Sequence, residues 1–445
     1  MKILLANLHW AHDGDSSPEN VKNLHFPMGL AIIAGEIRKN RTDHLSVADN
    51  YVSDVTEEDI LDSVVEDGID CILLSSFLGN YQYRNLKKFV KAATAASPRC
   101  RVIIGGPMAA TIPRLILENS GGTDERIILV VGEGEETILE LLACLESGGR
   151  LSGVRGICFR NSGSTIMTEP RARIKDLDRR PYPAYDLFET DKYVDYVVRT
   201  GRCWETCTSR GCFGECAYCK LVFGKKITMR SAASVVEEMN AFCEAYGVNR
   251  FNFVDDNFLN TREHALQFSA ALKENGAAFK WRFQGRADRF SPDLAENLMD
   301  VGLYDVSFGI ESGSPEILKS MSKSLNLERA KANLKSLPSD LETHASFIIG
   351  MPEESPETIE RTLEFIADTG LKHTSGGLLT LFPGTALYKE ARAKGIIADE
   401  ERYCDSLGPV YSYPYTNLTA YPDGQLIDWA QRIGGAGAAE KGLHG

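Results

Sequence analysis

Short apolar runs alternate with longer amphipathic stretches from the first residue to about residue 145. The runs "KILLAN", "HLSVADNY", "IDCILLSS", "RVIIGG" and "RIILVV" each end in turn residues and read as strands. Between them, "FPMGLAIIAGEIRKN" and Tyr83–Ala96 carry helical spacing, and "GEGEETILELL" opens a helix on carboxylates, which suit a helix N-terminus. This alternation predicts an α/β domain over 1–150, a doubly wound parallel sheet with helices on both faces. In such a sheet the ligand crevice lies past the carboxyl ends of the strands, here Asn7, Asp49, Ser75–Ser76, Gly105–Gly106 and Gly132–Gly134.

The pattern changes over 151–192. "GVRGICFRNSGSTIMTEP" reads as a hairpin turning at "NSGS", and "DLDRRPYPAYDLF" as a connector, so this stretch is expected to be an interdomain linker. Alternation resumes over 193–395. Strands are expected at "VVRTGRCWETCTS", "RFNFVDD", "KWRFQGRAD", "YDVSFGIESG", "ETHASFIIGMP" and "SGGLLTLF", each followed by a helical segment. Six such pairs fit a partial (β/α)6 barrel, with its chemistry at the C-terminal ends of the strands. The remaining 396–445 are rich in Gly, Tyr and Pro and are expected to form a tail.

Composition narrows the class. The 445 residues are 43% apolar and 25% charged, with a formal net charge of −13. That balance argues against nucleic-acid binding, which needs clusters of Lys and Arg, and it is permissive of a cationic small-molecule substrate. No run reaches the roughly 18–20 apolar residues of a membrane span, and the start lacks the long apolar region of a signal peptide. A cytoplasmic protein without a membrane partner is the expectation. Eleven cysteines in such a chain favour free thiols or metal ligands over a disulfide framework.

Three of those cysteines crowd into "RGCFGECAYCK": Cys212, Cys216 and Cys219. Structural zinc wants four ligands, and no second Cys pair or His pair follows at a suitable interval. Cys203 and Cys207 lie upstream in or beside a strand, too far apart along it to share an ion. Three thiolates in a Gly-containing loop leave a cluster one protein ligand short, which favours an iron–sulfur cluster with an open iron. Cys71, Cys100, Cys144, Cys158 and Cys243 read as packed thiols.

"CFGECAYC" resembles the signature of the radical S-adenosylmethionine (SAM) superfamily, C-x3-C-x2-C with an aromatic before the last Cys. "FVDDNF", "SFGIESGS", "FIIGMPEES" and "LFPGTALY" resemble the family's later motifs, in order and at the expected strand ends. The resemblance implies that Cys212, Cys216 and Cys219 ligate a [4Fe–4S] cluster whose fourth iron chelates SAM, giving a 5′-deoxyadenosyl radical on reduction. It further implies that Asp255 or Asp256 accepts from the SAM ammonium, that Glu311 and Ser312 grip ribose and carboxylate, that Tyr218 and Ile349 flank the adenine and that Arg286 meets the SAM carboxylate. Arg286 has Asp288 and Asp305 as competing partners, and Asp255–Asp256 could instead cap the following turn. An electron donor of flavodoxin or ferredoxin type and a small-molecule substrate are the implied partners, with a separate reductase for the radical product left open.

The front region resembles the cobalamin-binding domain that precedes many such barrels. The resemblance makes Ser75, Gly105, Gly106, Gly132 and Gly134 the candidate cobalamin-binding positions. The stretch "NLHWAHDG" departs from the cobalt-ligating D-x-H-x-x-G pattern, with His12 at the Gly position and no leading Asp. Two enzyme readings follow: a cobalamin-dependent C-methyltransferase, which is favoured, and a cobalamin-independent aminosugar dehydratase of the apramycin type with the front domain as scaffold. A non-catalytic iron–sulfur or cobalamin-binding protein is the third reading. Asp256, Glu353 and Tyr388 are the candidate catalytic bases.

Overall fold

The computed structural model describes residues 1–8, 24–121 and 124–437. His9 and His12 lie outside the described residues. The chain divides into two compact units, one of residues 1–196 and 399–409, the other of 197–398 and 410–445.

In the first unit, parallel strands β1 (Lys2–Asn7), β2 (His44–Asp49), β3 (Cys71–Ser75), β4 (Arg101–Gly105) and β5 (Ile127–Val130) form the sheet. Their order is β2-β1-β3-β4-β5, with a topological switch between β1 and β3. Strands β1, β3, β4 and β5 are nearly continuous buried apolar runs because helices cover both faces, while the edge strand β2 is half-buried. Residues Ile157–Asn161 (β6) and Ser164–Met167 (β7) form the expected hairpin, turning through Ser162 and Gly163 at φ +49° and +78°. It is not a linker, however. β6 pairs antiparallel with β5, so the hairpin extends the sheet and buries Ile157 and Phe159. The segment Val197–Thr200, the start of an expected strand, lies within helix Thr190–Thr200, whose β-branched valines mislead the pattern.

The tail is also divided. Helix Glu400–Ser406 belongs to the first unit, where Lys87 of helix Gln82–Ala96 donates to Glu401 at 2.6 Å and to Asp405 at 3.1 Å.

The second unit begins with β8 (Trp204–Thr206), then a small antiparallel ladder of β9 (Ser209–Arg210) and β10 (Thr228–Met229). Strands β11 (Arg250–Phe253), β12 (Lys280–Gly285), β13 (Leu303–Glu311), β14 (Glu342–Ile349) and β15 (His373–Leu378) complete a six-stranded sheet with β8. All pairings in the order β8-β11-β12-β13-β14-β15 are parallel. An aromatic core of Phe253, Phe258, Phe268, Trp281 and Phe283 fills the space between β11, β12 and their helices. Helix Asp423–Gly434 lies on the β15 edge, where Thr374 Oγ1 donates to Ile433 O at 2.7 Å. A Cβ on Gly376 would come within 2.1 Å of Ala430 O, so glycine at this position is what lets the helix approach. No helix among the described residues is long and apolar enough to cross a membrane.

Candidate active site

The three loop cysteines line one cavity of about 510 Å3, together with residues at the carboxyl ends of the barrel strands. The loop closes on itself through Cys212 N donating to Gly224 O (3.3 Å) and Cys219 N donating to Cys216 O (3.1 Å). Gly211 holds φ +92°, and a Cβ there would sit 2.5 Å from Lys226 O, so the turn requires glycine. Gly214 lies between two thiols, its Cβ position 3.5 Å from Cys212 Sγ and 3.7 Å from Cys216 Sγ. Partial burial pushes the Cys212 thiol up, so a metal group must displace its proton to bind. No three His, Cys, Asp or Glu side chains among the described residues converge on a single-ion site. Three thiols on the wall of a roomy cavity fit a larger cluster with an open position.

Asp255 and Asp256 separate. Asp255 is buried and accepts from Thr208 N (3.1 Å), Thr208 Oγ1 (2.9 Å) and Ser209 Oγ (2.5 Å). His264 Nε2 lies 3.2 Å from the same Thr208 hydroxyl. Asp255 therefore ties β11 to the strand entering the cysteine loop and does not line the cavity. Asp256 does line it, and accepts from Gly211 N at 3.0 Å.

Glu311, at the end of β13, holds a left-handed φ of +69°, a conformation that costs about 1 kcal/mol or more for a non-glycine residue. Its Oε1 accepts from Lys323 Nζ at 2.8 Å inside the cavity, and Lys323 also donates to Tyr218 OH at 3.4 Å. Burial, then the Glu311 charge, push the Tyr218 phenol far up, so it stays protonated. Lys323 and Tyr411, both lining the cavity, were not foreseen. Lys323 follows the β13 loop with no local pattern to mark it, and Tyr411 comes from the unassigned tail, where Leu378 N donates to Tyr411 O at 2.7 Å.

Arg286 lines the cavity, but its guanidinium is already bidentate to Asp288 at 3.0 and 2.8 Å and donates to Ser324 O at 2.5 Å. Ser312 turns away from the cavity: its Oγ accepts from Ser314 N at 3.1 Å and lies 3.3 Å from Thr362 Oγ1. Ile348 lines the cavity while Ile349 is buried and does not. Of the three candidate bases only Asp256 faces the cavity. Glu353 accepts from Ser320 Oγ at 2.5 Å elsewhere, and Tyr388 is buried in helix Ala386–Ala393.

In the first unit, Ser75, Gly105, Gly106, Gly132 and Gly134 gather at the carboxyl ends of β3, β4 and β5. They divide by cause. A Cβ on Gly106 (φ +90°) would come 2.6 Å from Ser76 O, so the backbone demands glycine there, whereas one on Gly134 would meet only the movable tip of Ile33 at 2.9 Å. Among the described residues, a Cβ on Gly132 (φ +102°) would meet nothing within 4 Å, and one on Gly105 only Leu74 O at 4.0 Å. Those two leave open backbone at the strand ends, which fits a bulky planar ligand.

A family model for the B12 binding domain matches residues 19–142, and one for the radical SAM superfamily matches 206–366. An uncharacterized methyltransferase of Pyrococcus horikoshii is 30% identical over 375 residues, covering 83% of this chain and 79% of its own. The chain belongs to the radical SAM superfamily. As a radical SAM enzyme its cofactors are a [4Fe–4S] cluster and SAM, and a B12-binding-type domain precedes the barrel. The cytidylyl-2-hydroxyethylphosphonate methyltransferase of Streptomyces wedmorensis is 28% identical over 386 residues, 78% of this chain and 71% of that one. Among solved structures, the radical SAM methyltransferase TsrM from Kitasatospora setae shares the fold at TM-score 0.72 and 17% identity, over 88% of this chain and 76% of TsrM. The cobalamin-dependent radical enzyme OxsB aligns at TM-score 0.71 and 16% identity, over 94% of this chain and 58% of OxsB.

Proposed function

We propose that this radical SAM enzyme is a cobalamin-dependent methyltransferase acting on carbon in a small-molecule substrate. The observation that carries the reading is the pairing, in one chain, of a B12-binding-type sheet with open glycine backbone at its strand ends and a barrel whose three thiols line a cavity. Methyltransferases related over most of their length support it over aminosugar dehydration.

Cys212, Cys216 and Cys219 would hold the cluster, and Ser75, Gly105 and Gly132 would border the corrinoid. When bound, the cluster and SAM supply a carbon radical that removes hydrogen from substrate, and the corrinoid supplies the methyl group. The chain's own part is orientation. Asp256, in the loop after β11 and fixed by Gly211 N of the cysteine loop, would present a carboxylate to the SAM ammonium. Lys323, held by Glu311, presents a cation to the SAM carboxylate, a role Arg286 shares only if Asp288 yields it. Tyr218 and Ile348 give the apolar walls for adenine and keep water from the reacting atoms.

The test replaces Cys212, Cys216 and Cys219 together by Ala and follows SAM under reduction with dithionite. The reconstituted wild-type chain forms 5′-deoxyadenosine and the variant forms none. Equal formation by both would remove the cysteine loop from the chemistry.

A further inference from the structure

A second concavity, of about 320 Å3, lies on the barrel unit beside the cysteine loop and shares no lining residue with the first. Its wall carries Arg262, Arg289 and Arg329, all exposed, with the helix-capping residues Ser291 and Asn326. Arg262 and Arg329 stand in the first turns of helices Arg262–Asn275 and Leu327–Lys335, where positive charge opposes the helix dipole. Each of those turns also has an acid, Glu263 and Glu328, yet the arginines and not these acids line the concavity. Arg262 is neutralised by Asp293. Asp288, the only lining acid among the described residues, is held by Arg286. Arg289 and Arg329 are left without an ion-pair partner among the described residues.

The concavity adjoins the cluster loop through one ring. Arg289 Cζ lies 4.2 Å from the centroid of Phe213, and Arg286 Cζ lies 5.5 Å from it. Phe213 is the residue immediately after Cys212. On a chain of formal net charge −13, surplus cations beside the loop that holds the thiols are an electrostatic exception.

We infer that Arg289 and Arg329 form the docking surface for an acidic one-electron carrier protein. The inference rests on the reading of the cysteine loop as a reducible cluster site. One electron leaves the docked carrier, which is oxidised by one, and enters the cluster, which is reduced by one; no bond of this chain forms or breaks. An acidic carrier is repelled by the chain as a whole and attracted at this patch, so the charges steer it to the surface beside Phe213 in the cysteine loop.

The experiment titrates the full-length chain, before and after cluster reconstitution, with a bacterial flavodoxin by calorimetry at low and high salt. The double reversal R289E/R329E weakens binding by about tenfold or more in both forms, and wild-type affinity falls as salt rises. SAM cleavage driven by flavodoxin drops in step, while cleavage driven by dithionite stays within about twofold of wild type. Unchanged flavodoxin affinity in the variant overturns the inference. So does loss of dithionite-driven cleavage, which would make the arginines part of the site. A wild-type chain that binds flavodoxin through these arginines but cleaves no SAM with dithionite would instead overturn the reading of the cluster.

Discussion

Asp255 and Asp256 adjoin in the chain and serve opposite sides of the loop after β11. Asp255 accepts three hydrogen bonds from Thr208 and Ser209 in the interior, while Asp256 meets the cavity. Removing the first carboxylate strands three buried donors; removing the second frees the part-buried Gly211 N. Asp255→Ala is expected to lower stability by about 3 kcal/mol and to empty the cluster site with it. Asp256→Ala is expected to cost about 1 kcal/mol, clearly less than Asp255→Ala, and to weaken SAM binding. Thermal unfolding of both variants, with SAM titration of the second, checks the division.

The Lys323–Glu311 pair gives a second test. Both side chains are under a tenth exposed, so each single removal leaves a buried charge uncompensated. Lys323→Met and Glu311→Gln should each destabilise by about 3–5 kcal/mol, and the double variant by clearly less than their sum. Additive losses in a double-mutant cycle would show that the two groups do not depend on each other.

Asp49, at the end of β2, titrates in a readable range. Burial pushes its carboxyl up to about 6, against hydrogen bonds from Tyr193 OH (2.7 Å) and Asn7 Nδ2 (3.0 Å) that favour the charged form. A carboxyl raised on folding adds stability that is fully present below its unfolded value and is lost as pH rises through the folded one. At about 1.4 kcal/mol per pH unit, the gap between 3.8 and about 6 comes to roughly 3 kcal/mol. The stability of wild type relative to Asp49→Asn should therefore fall by that order between pH 4 and pH 7. Urea unfolding at fixed ionic strength measures it, and a difference flat in pH would contradict the buried-carboxyl account.

At the front sheet, Gly106→Ala and Gly132→Ala separate packing from ligand access. The first forces a methyl group against Ser76 backbone and is expected to cost about 2 kcal/mol or more of stability. The second meets open space in the protein, so it carries only the strain of its φ and acts chiefly on ligand retention. Corrinoid retained after desalting, measured beside the unfolding midpoint, distinguishes them.

The legible parts of this molecule are those written in local spacing. Period-2 and period-3.6 patterning located most strands and helices, and the Cys212–Cys216–Cys219 spacing located the loop because a cluster needs its ligands close in sequence. Irregular loops were not legible at single-residue grain. Asp255 and Asp256, Ser312 and Glu311, Ile349 and Ile348 each differ by one position, which decides whether a side chain meets the cavity or the interior. Lys323 and Tyr411 were invisible for another reason: their meeting with Glu311 and β15 is tertiary, and no local pattern announces it. Gly376 in a strand was the available signal that a helix would come close.

The central claim is that one chain carries both a corrinoid and a radical-forming cluster. Anaerobic purification with hydroxocobalamin present, followed by desalting and a visible spectrum, tests it most directly. The account predicts corrinoid absorbance at one equivalent per chain beside that of the iron–sulfur cluster. Iron–sulfur absorbance alone would contradict it.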